Sequence, residues 1–498
     1  MRHRTSSIRR DIAITVGAQI GVAVGGLLLY RLIAVHKGAP GVAAYTLVKQ
    51  VVVFLGPAAI LGMQTAIPRY VALAGEERRR PESILVAAIA CTAIASALVC
   101  LLLLAWPHGS AGLLFGRASR SFLLVPLAAT LVATLATDLV AGYYRGLLDF
   151  GIAAALRVVG AGALPVVLLV AIPDRSMATL ILLMAVGLFA LCLVAVAAPL
   201  TRGLGREPRS EAPVAARTLL NYGVRRVPGD VAAVALWAVT PVIAAHFVSL
   251  REVAYLGVGL QVLNVVAIGF QPIALIFLPL MTRLWVANRE RARWYAGQLS
   301  AAAVHLALFA TPQILLFADV AVRVWLGSSF DPAGSVIRLT VFPVAFYICS
   351  LVLRSSLDAA SVTAYNSRNR LAGLGVAVVM GAVLLGFDVG TPVQSIALSF
   401  ASGLIAIGVL TFVTTRRVYE VPSQVWASAT AVALAAAAAG VAAAVRFAVV
   451  GSHGSVAALV LIVVLEAALA AGFLLGLARS GVHWPVEFRD RLLRKPVS

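Results

Sequence analysis

Apolar runs of about twenty residues recur along almost the whole of this 498-residue sequence, separated by short basic or polar gaps. The hydrocarbon core of a bilayer is about 30 Å thick, and a helix rising 1.5 Å per residue needs about 20 residues to cross it. About 25% of the residues in an ordinary soluble protein are charged, whereas 12% of this chain is charged. The sequence therefore predicts an all-α polytopic membrane protein and excludes an ordinary soluble one.

We predict fourteen membrane-spanning helices, which we call spans 1 to 14 in chain order. The spans lie at 12–33, 42–66, 84–105, 121–141, 152–172, 178–200, 229–248, 254–280, 297–318, 335–356, 371–388, 395–414, 427–449 and 455–478. Because the number is even, both termini lie on one side of the membrane. The longest gaps hold about 20 residues, and an independent soluble domain needs at least about 50.

The basic residues are distributed unevenly between the two sets of loops. Loops on the side of the termini hold 30 of the 40 lysines and arginines, and the opposite loops hold nine. Cytoplasmic loops carry such an excess, so we predict that both termini are cytoplasmic and that the protein lies in the cytoplasmic (inner) membrane. The net charge of +20 then reflects topology, and no nucleic-acid partner is predicted.

The two halves of the sequence repeat each other. Residues 31–45 align without gaps on 241–255, an offset of 210, and residues 114–116 align on 325–327 at an offset of 211. Six spans per repeat is an even number, so we predict two lobes of the same orientation, related by a pseudo-two-fold axis along the membrane normal. The predicted divisions are an N-lobe at 1–205, a C-lobe at 206–420, and spans 13 and 14 with a cytoplasmic tail at 421–498.

Several catalytic chemistries lack their required residues in this sequence. The chain has three lysines, Lys37, Lys49 and Lys495, and none follows a glycine, so no G-x-x-x-x-G-K-[ST] phosphate-binding loop is present. No histidine precedes a glutamate and no G-x-S-x-G sequence occurs, which excludes H-E-x-x-H zinc hydrolysis and a serine nucleophile elbow. We therefore predict a transporter without metal or cofactor. A membrane-embedded glycan polymerase or transferase is the less supported alternative.

Lys49 is the clearest charge inside a predicted span. A charge at the centre of a span costs about 2.5–3.5 kcal/mol, and Lys49 lies about seven residues, or about 10 Å, below the outer end of span 2. Its ammonium group either extends to the outer headgroups or faces a central cavity as a fixed cation. In the second case Gln50, and Arg31 on span 1, are candidates to bind an anionic group with it.

Other polar positions within the spans also have two explanations each. Glu466 lies near the middle of span 14 and Asp138 near the cytoplasmic end of span 4, and each is a candidate coupling carboxyl or a structural one. Gln261 and Asn264 in span 8 are spaced to share a helix face, where they form interhelical hydrogen bonds or bind sugar. The G-x-x-x-G steps at 17–25 predict close packing against another helix of the chain, with dimerisation as the alternative.

Three short sequences carry a resemblance to a known family. They are Gly38-x-x-Gly41-x-x-x-Tyr45, Gly62-Met-Gln-Thr-Ala-Ile-Pro68-Arg69-Tyr70 and Arg323-Val-Trp325-Leu326-Gly327. With two six-span repeats and two further spans, the chain resembles the polysaccharide-unit flippases of the multidrug/oligosaccharidyl-lipid/polysaccharide exporter superfamily. The resemblance covers essentially the whole chain.

The resemblance implies a fold, a substrate and partners. It implies two lobes around a central cavity and alternating access that moves undecaprenyl-pyrophosphate-linked oligosaccharides to the outer leaflet. The implied partners are membrane lipids, the lipid-linked substrate, and glycosyltransferases and a polymerase of the same cell-envelope polysaccharide pathway. Related lipid II flippases carry basic cavity residues on helices 1 and 2, and Arg31 and Lys49 stand in comparable places. The alternative within the superfamily is a cation-coupled multidrug or small-molecule exporter, which usually has an acidic site in its N-lobe.

Overall fold

The structure is a computed structural model that describes residues 2–76, 80–204, 211–360, 365–421, 429–450, 456–480, 482 and 484. Every regular element in these residues is helical. The α-helices are α1 (Arg2–Ile60), α2 (Met63–Glu76), α3 (Pro81–Ala105), α4 (Pro107–Phe115), α5 (Leu124–Gly146), α6 (Phe150–Arg157), α7 (Leu164–Ala171), α8 (Met177–Leu204), α9 (Glu211–Gly223), α10 (Val227–Phe247), α11 (Leu250–Ala287), α12 (Arg289–Leu326), α13 (Gly334–Val341), α14 (Val344–Ala360), α15 (Tyr365–Gly386), α16 (Pro392–Tyr419), α17 (Ala429–Val445) and α18 (Val456–Arg479).

The all-α membrane fold predicted from the sequence is confirmed, and in the parts that the structure describes each predicted span consists mainly of helical residues. Within the described ranges, twelve helices are long and apolar enough to cross a membrane, and α13 with α14, bent by 46°, forms a thirteenth. The difference from fourteen arises at α1, because this one element contains both span 1 and span 2. The chain is therefore a multi-pass helical membrane protein.

The chain reverses direction inside α1, at Gly38. This residue is non-helical, with φ 63° and ψ −168°. In a straight helix the 16 residues between Tyr30 and Thr46 would separate them by about 24 Å, yet their hydroxyl oxygens lie 3.2 Å apart. The two arms of α1 therefore form a helical hairpin in which each arm is one predicted span.

The second arm ends earlier than the sequence predicts. Span 2 is predicted to reach residue 66, but α1 ends at Ile60 and the chain breaks at Leu61 and Gly62, with φ values of 53° and 73°. A Cβ atom on Gly62 would lie 2.7 Å from the Cα of Gly223. The break therefore lies in direct backbone contact with the end of α9, and this tertiary contact is not visible in local hydrophobicity.

The chain divides into two compact units, Met1–Ala254 and Tyr255–Ser498. In the first unit α5 packs against α1, α2, α3 and α8. The glycine face of α1 contacts a π-helical turn at Val158–Ala163, where a Cβ on Gly25 would lie 3.0 Å from the carbonyl carbon of Gly162. Close packing within the chain, as predicted, is confirmed for Gly21 and Gly25, whereas a Cβ on Gly17 would meet no atom within 4 Å.

In the second unit, α12 packs against α14, α16, α17 and α18. Its contact with α18 includes a stacked ring pair, Phe309 and Phe473, with centroids 5.0 Å apart. Near one end, Trp484 joins alanines of α12 and α17 in a buried cluster and donates a hydrogen bond from Nε1 to His305 Nδ1 at 3.0 Å. The lobe boundaries after residues 205 and 420 rest on the sequence repeat and remain predictions.

One landmark of the repeat has the same order of elements in both halves. Gly116 and Gly327 each end a helix and each has a positive φ, 74° and 91° respectively, although their ψ values differ, −7° and 173°. Each is followed by a short 3₁₀ helix, Ala118–Leu123 in the first half and Ser328–Ala333 in the second. The shared order of helix, glycine and 3₁₀ helix supports the alignment of the two halves.

The predicted orientation can be tested by cysteine labelling. In a variant whose four native cysteines are replaced by alanine, single cysteines at Ser6, Ser110, Ser210 and Ser452 are expected to react differently with a membrane-impermeant maleimide. Only positions 110 and 452 should label in intact cells, because the loops rich in lysine and arginine remain cytoplasmic. All four positions should label after permeabilisation. Labelling of position 6 or 210 in intact cells would reverse the topology.

Candidate substrate site

The hairpin of α1 places a lysine among aromatic and hydroxyl side chains. Tyr30 is 2% exposed, its ring contacts that of Tyr45 edge-on at 5.6 Å, and its hydroxyl pairs with that of Thr46. The Nζ of Lys49 lies 5.7 Å from the centroid of the Tyr30 ring. We call Tyr30, Tyr45, Thr46 and Lys49 the hairpin cluster.

The turn at Gly38 explains why these side chains meet. Tyr30 precedes Gly38 by eight residues and Lys49 follows it by eleven, which places them about 12 and about 16 Å from the turn along their arms. Lys49 is half-buried and its ammonium group lies against the electron-rich face of a buried ring. Such a cation–π contact contributes about 2 kcal/mol when it is shielded from water. The structure therefore holds a cation inside the membrane-spanning part of the hairpin.

Arg31 and Gln50 lie beside the hairpin cluster. Arg31 is half-buried and follows Tyr30, while Gln50 is 6% exposed and follows Lys49. Neighbouring residues on a helix lie about 100° apart around its axis, so Arg31 and Gln50 flank the Tyr30–Lys49 contact on the two arms. The sequence predicts Arg31, Lys49 and Gln50 as one group, and the structure adds Tyr30, which it places directly against Lys49.

Asp138 belongs to a second polar group in the same unit. One of its carboxylate oxygens accepts a hydrogen bond from Gln64 Nε2 at 3.0 Å. Asp138 thus has an amide donor, and a hydrogen bond of this kind satisfies one oxygen of a carboxyl group within a span.

A third group lies where α2, α9 and the segment before α10 meet. The Tyr222 hydroxyl accepts a hydrogen bond from Arg226 Nη1 at 3.1 Å, and the Arg69 guanidinium lies 4.9 Å from the centroid of the Tyr222 ring. Tyr70 contacts the same ring edge-on at 5.8 Å. Sequence reasoning did not identify Tyr222, since it lies 153 residues from Arg69, and no local pattern links the two.

The remaining candidates lie in the second unit. On α11, Gln261 is 6% exposed and Asn264 is half-buried, and their spacing of three residues places them on neighbouring positions of one face. On α18, Glu466 is half-buried, and its Oε1 has no hydrogen-bond partner among the described residues. The sugar-binding and coupling roles suggested by the sequence for these residues remain predictions.

No protein-family model and no curated protein matches this sequence. Solved structures do match it. "Lipid II flippase MurJ, inward closed conformation" is 11% identical, with a TM-score of 0.70 over 94% of this chain and 100% of that one. An inward-facing multidrug resistance MATE family transporter of the MOP superfamily is 14% identical, with a TM-score of 0.61 over 82% of this chain and 94% of that one. A crystal structure of MATE in complex with MaD3S is 12% identical, with a TM-score of 0.52 over 82% of this chain and 98% of that one. At these identities the similarity establishes a shared fold.

Proposed function

We propose that this chain is a flippase that moves a lipid-linked oligosaccharide across the cytoplasmic membrane by alternating access. The observation that carries the proposal is the extent of the structural match. The lipid II flippase fold accounts for 94% of this chain and all of its own length, whereas the two MATE transporters each account for 82% of this chain.

The hairpin cluster supports an anionic substrate. A diphosphate linker carries about two negative charges, and the attraction between opposite charges strengthens as the effective dielectric constant falls inside a protein. Lys49 provides a cation held against Tyr30, and Arg31 provides a guanidinium suited to phosphate oxygens. In this proposal Lys49, Arg31 and Gln50 bind the diphosphate, and Gln261 and Asn264 bind the sugar.

The membrane potential provides a driving force that suits this substrate. When the inside of the membrane is negative, moving one negative charge outward is favourable by about 2.3 kcal/mol per 100 mV of membrane potential. Two charges therefore gain about 4.6 kcal/mol per 100 mV, without nucleotide hydrolysis. The glycosyltransferases that build the oligosaccharide and the polymerase that extends it would then act before and after this step.

The second candidate is a cation-coupled exporter of small molecules. It is favoured by Asp138, a carboxylate that lies within a membrane-spanning helix of the first unit and is held by Gln64. In that case Asp138 and Glu466 are the coupling carboxyls, and translocation requires an ion gradient. The two candidates therefore differ in substrate and in driving force.

Purified protein in proteoliposomes distinguishes the two. A polyprenyl-diphosphate oligosaccharide is placed in the membrane, and an impermeant lectin reports its arrival at the opposite face. We expect exposure to accelerate with a potential of the correct sign and to persist in Asp138→Asn with a loss of about tenfold or less, equivalent to about 1.4 kcal/mol. The proposal fails if the lipid does not move while a cationic dye is expelled by an ion gradient in wild type but not in Asp138→Asn.

A further inference from the structure

Three arginines from three elements of the second unit line one cavity. The cavity has a volume of about 210 Å³ and lies where α12 ends, α13 begins and α17 ends. Its charged lining residues are Asp319, Arg323, Asp331, Arg338 and Arg446, and the remaining lining residues are Val320, Val322, Phe330, Gly334 and Ile337. We call this space the basic cavity. Neither the predicted substrate site nor the coupling carboxyls contribute to it.

Two arginines in the basic cavity share one carboxylate. Asp319 Oδ2 accepts a hydrogen bond from Arg338 Nη2 at 3.0 Å and from Arg446 Nη2 at 3.1 Å. Arg323 Nε donates to Asp331 Oδ1 at 2.7 Å. The five charged residues therefore comprise three guanidinium groups and two carboxylates. One positive charge in excess remains, and it is associated with the pair of arginines around Asp319.

The two arginines differ in how firmly they are held. The Arg446 side chain is 13% exposed and also donates from Nε to the carbonyl oxygen of Leu316 at 3.3 Å. The Arg338 side chain is 59% exposed, so its guanidinium can turn toward a ligand at the mouth of the cavity. Arg446 is the more buried and Arg338 the more exposed of the two guanidinium groups that share Asp319, so an anion that enters the cavity meets Arg338 first.

We propose that the basic cavity binds the phosphate group of an anionic membrane lipid. Guanidinium groups bind phosphate oxygens in a bidentate geometry, often in preference to an ammonium group. A volume of about 210 Å³ is several times the space of about 30 Å³ that one water occupies in the liquid, so a phosphate group fits beside Asp319. Because Asp319 competes with the phosphate for the same two arginines, it lowers the affinity of the basic cavity for the lipid phosphate.

The position along the helices fits a lipid headgroup. Asp319 lies seven residues before the end of α12 at Leu326, or about 10 Å along the helix axis. The two arginines that share Asp319 lie closer to the predicted membrane boundary: Arg338 and Arg446 are each three residues, or about 5 Å, inside the outer ends of predicted spans 10 and 13, next to the headgroup zone of about 5–8 Å that borders the hydrocarbon core. In the predicted topology this is the outer face, and a free phosphate ion would reach the same arginines from solution.

The experiment measures lipid retention by the full chain, without transport. Protein in nanodiscs of phosphatidylcholine with a minor fraction of phosphatidylglycerol is released into the gas phase, and native mass spectrometry counts the retained phosphatidylglycerol. Arg338→Gln is expected to reduce retention about fivefold or more. Asp319→Asn is expected to increase it, because the competing carboxylate is gone while the shape is kept. Arg251→Gln removes an arginine outside the cavity and is the matched control.

Each outcome decides the proposal. Loss in Arg338→Gln together with gain in Asp319→Asn supports it. Unchanged retention in a folded Arg338→Gln protein overturns it and leaves an ion-pair network that only connects α12, α13 and α17. If lipid retention does not depend on Arg338 but inorganic phosphate raises the thermal stability of the wild type and not of Arg338→Gln, the cavity binds a soluble anion and the lipid assignment is overturned. Thermal unfolding of Asp319→Asn checks that this variant is folded. If Asp319→Asn is unstable, the proposal is judged from Arg338→Gln alone. Because no flipping is measured, the result is independent of the proposed function.

Discussion

Lys49→Ala is expected to abolish flipping while leaving the amount of membrane-inserted protein normal. The substitution removes the cation that the hairpin cluster holds against the Tyr30 ring, 5.7 Å from its centroid. In the proposed site Lys49 pairs with the diphosphate; truncating one partner of a buried charge pair costs about 2–5 kcal/mol, and 2 kcal/mol alone corresponds to a rate loss of about 30-fold. Lys49→Arg should retain partial activity, because the charge remains while its geometry changes. The lectin assay in proteoliposomes measures the rate.

Two control variants separate this prediction from a simple insertion effect. Lys37→Ala removes a cation at the turn of the same hairpin, outside the cluster, and should flip at nearly the wild-type rate. Tyr30→Leu keeps Lys49 but removes its ring contact, so an intermediate loss is expected. If Lys49 only extends to the outer headgroups, Lys49→Ala should be stable and fully active, since an apolar span inserts more easily without a charge. That result would contradict the proposed anion site at Lys49.

Gly116→Ala is expected to lower the stability of the folded protein strongly. Gly116 ends α4 with a φ of 74°, a conformation that costs an L-residue about 1–2 kcal/mol. A Cβ there would also meet the carbonyl group of Ala245 and lie 2.9 Å from the amide nitrogen of His246. Overpacking of this kind adds about 1–3 kcal/mol, so the total is a large fraction of a typical stability.

The matched control lies four residues earlier. Gly112 is helical, and a Cβ there meets no atom within 4 Å, so Gly112→Ala should be neutral or slightly stabilising. Size-exclusion chromatography of fluorescent fusions, after heating over a series of temperatures, measures the folded fraction of both variants. Equal stability of the two variants would show that the backbone at Gly116 can move away from α10.

The spans were predictable from the sequence because the bilayer imposes a simple rule. Backbone polar groups in lipid must be paired within a segment, so apolar runs of sufficient length become helices without reference to the rest of the chain. The reversal at Gly38 falls between the predicted ends of spans 1 and 2 for the same reason. The break at Leu61 and Gly62 inside predicted span 2 was not predicted, because its contact with Gly223 joins residues distant in sequence.

The candidate site was predictable in its charged residues but not in their partners. The sequence alone identifies Lys49 and Asp138 as candidates because each is a charge inside an apolar run, and such a charge costs free energy in the membrane. Tyr30, which holds Lys49, resembles any other aromatic residue of a span. Asp319 and Arg446 are 127 residues apart, and their pairing depends on how α12 and α17 pack. Periodicity along one helix contains no information about such contacts.

The hairpin of α1 also constrains how the protein is made. One non-helical residue, Gly38, joins the two arms. The arms are therefore connected too closely for the first arm to insert into the membrane independently of the second. Arg31 and Lys49 lie on opposite arms, and in the predicted topology both must be carried into the outer half of the bilayer against the usual preference for cytoplasmic cations. We expect the translocation machinery to insert the pair of arms in one event, after synthesis has passed Ile60.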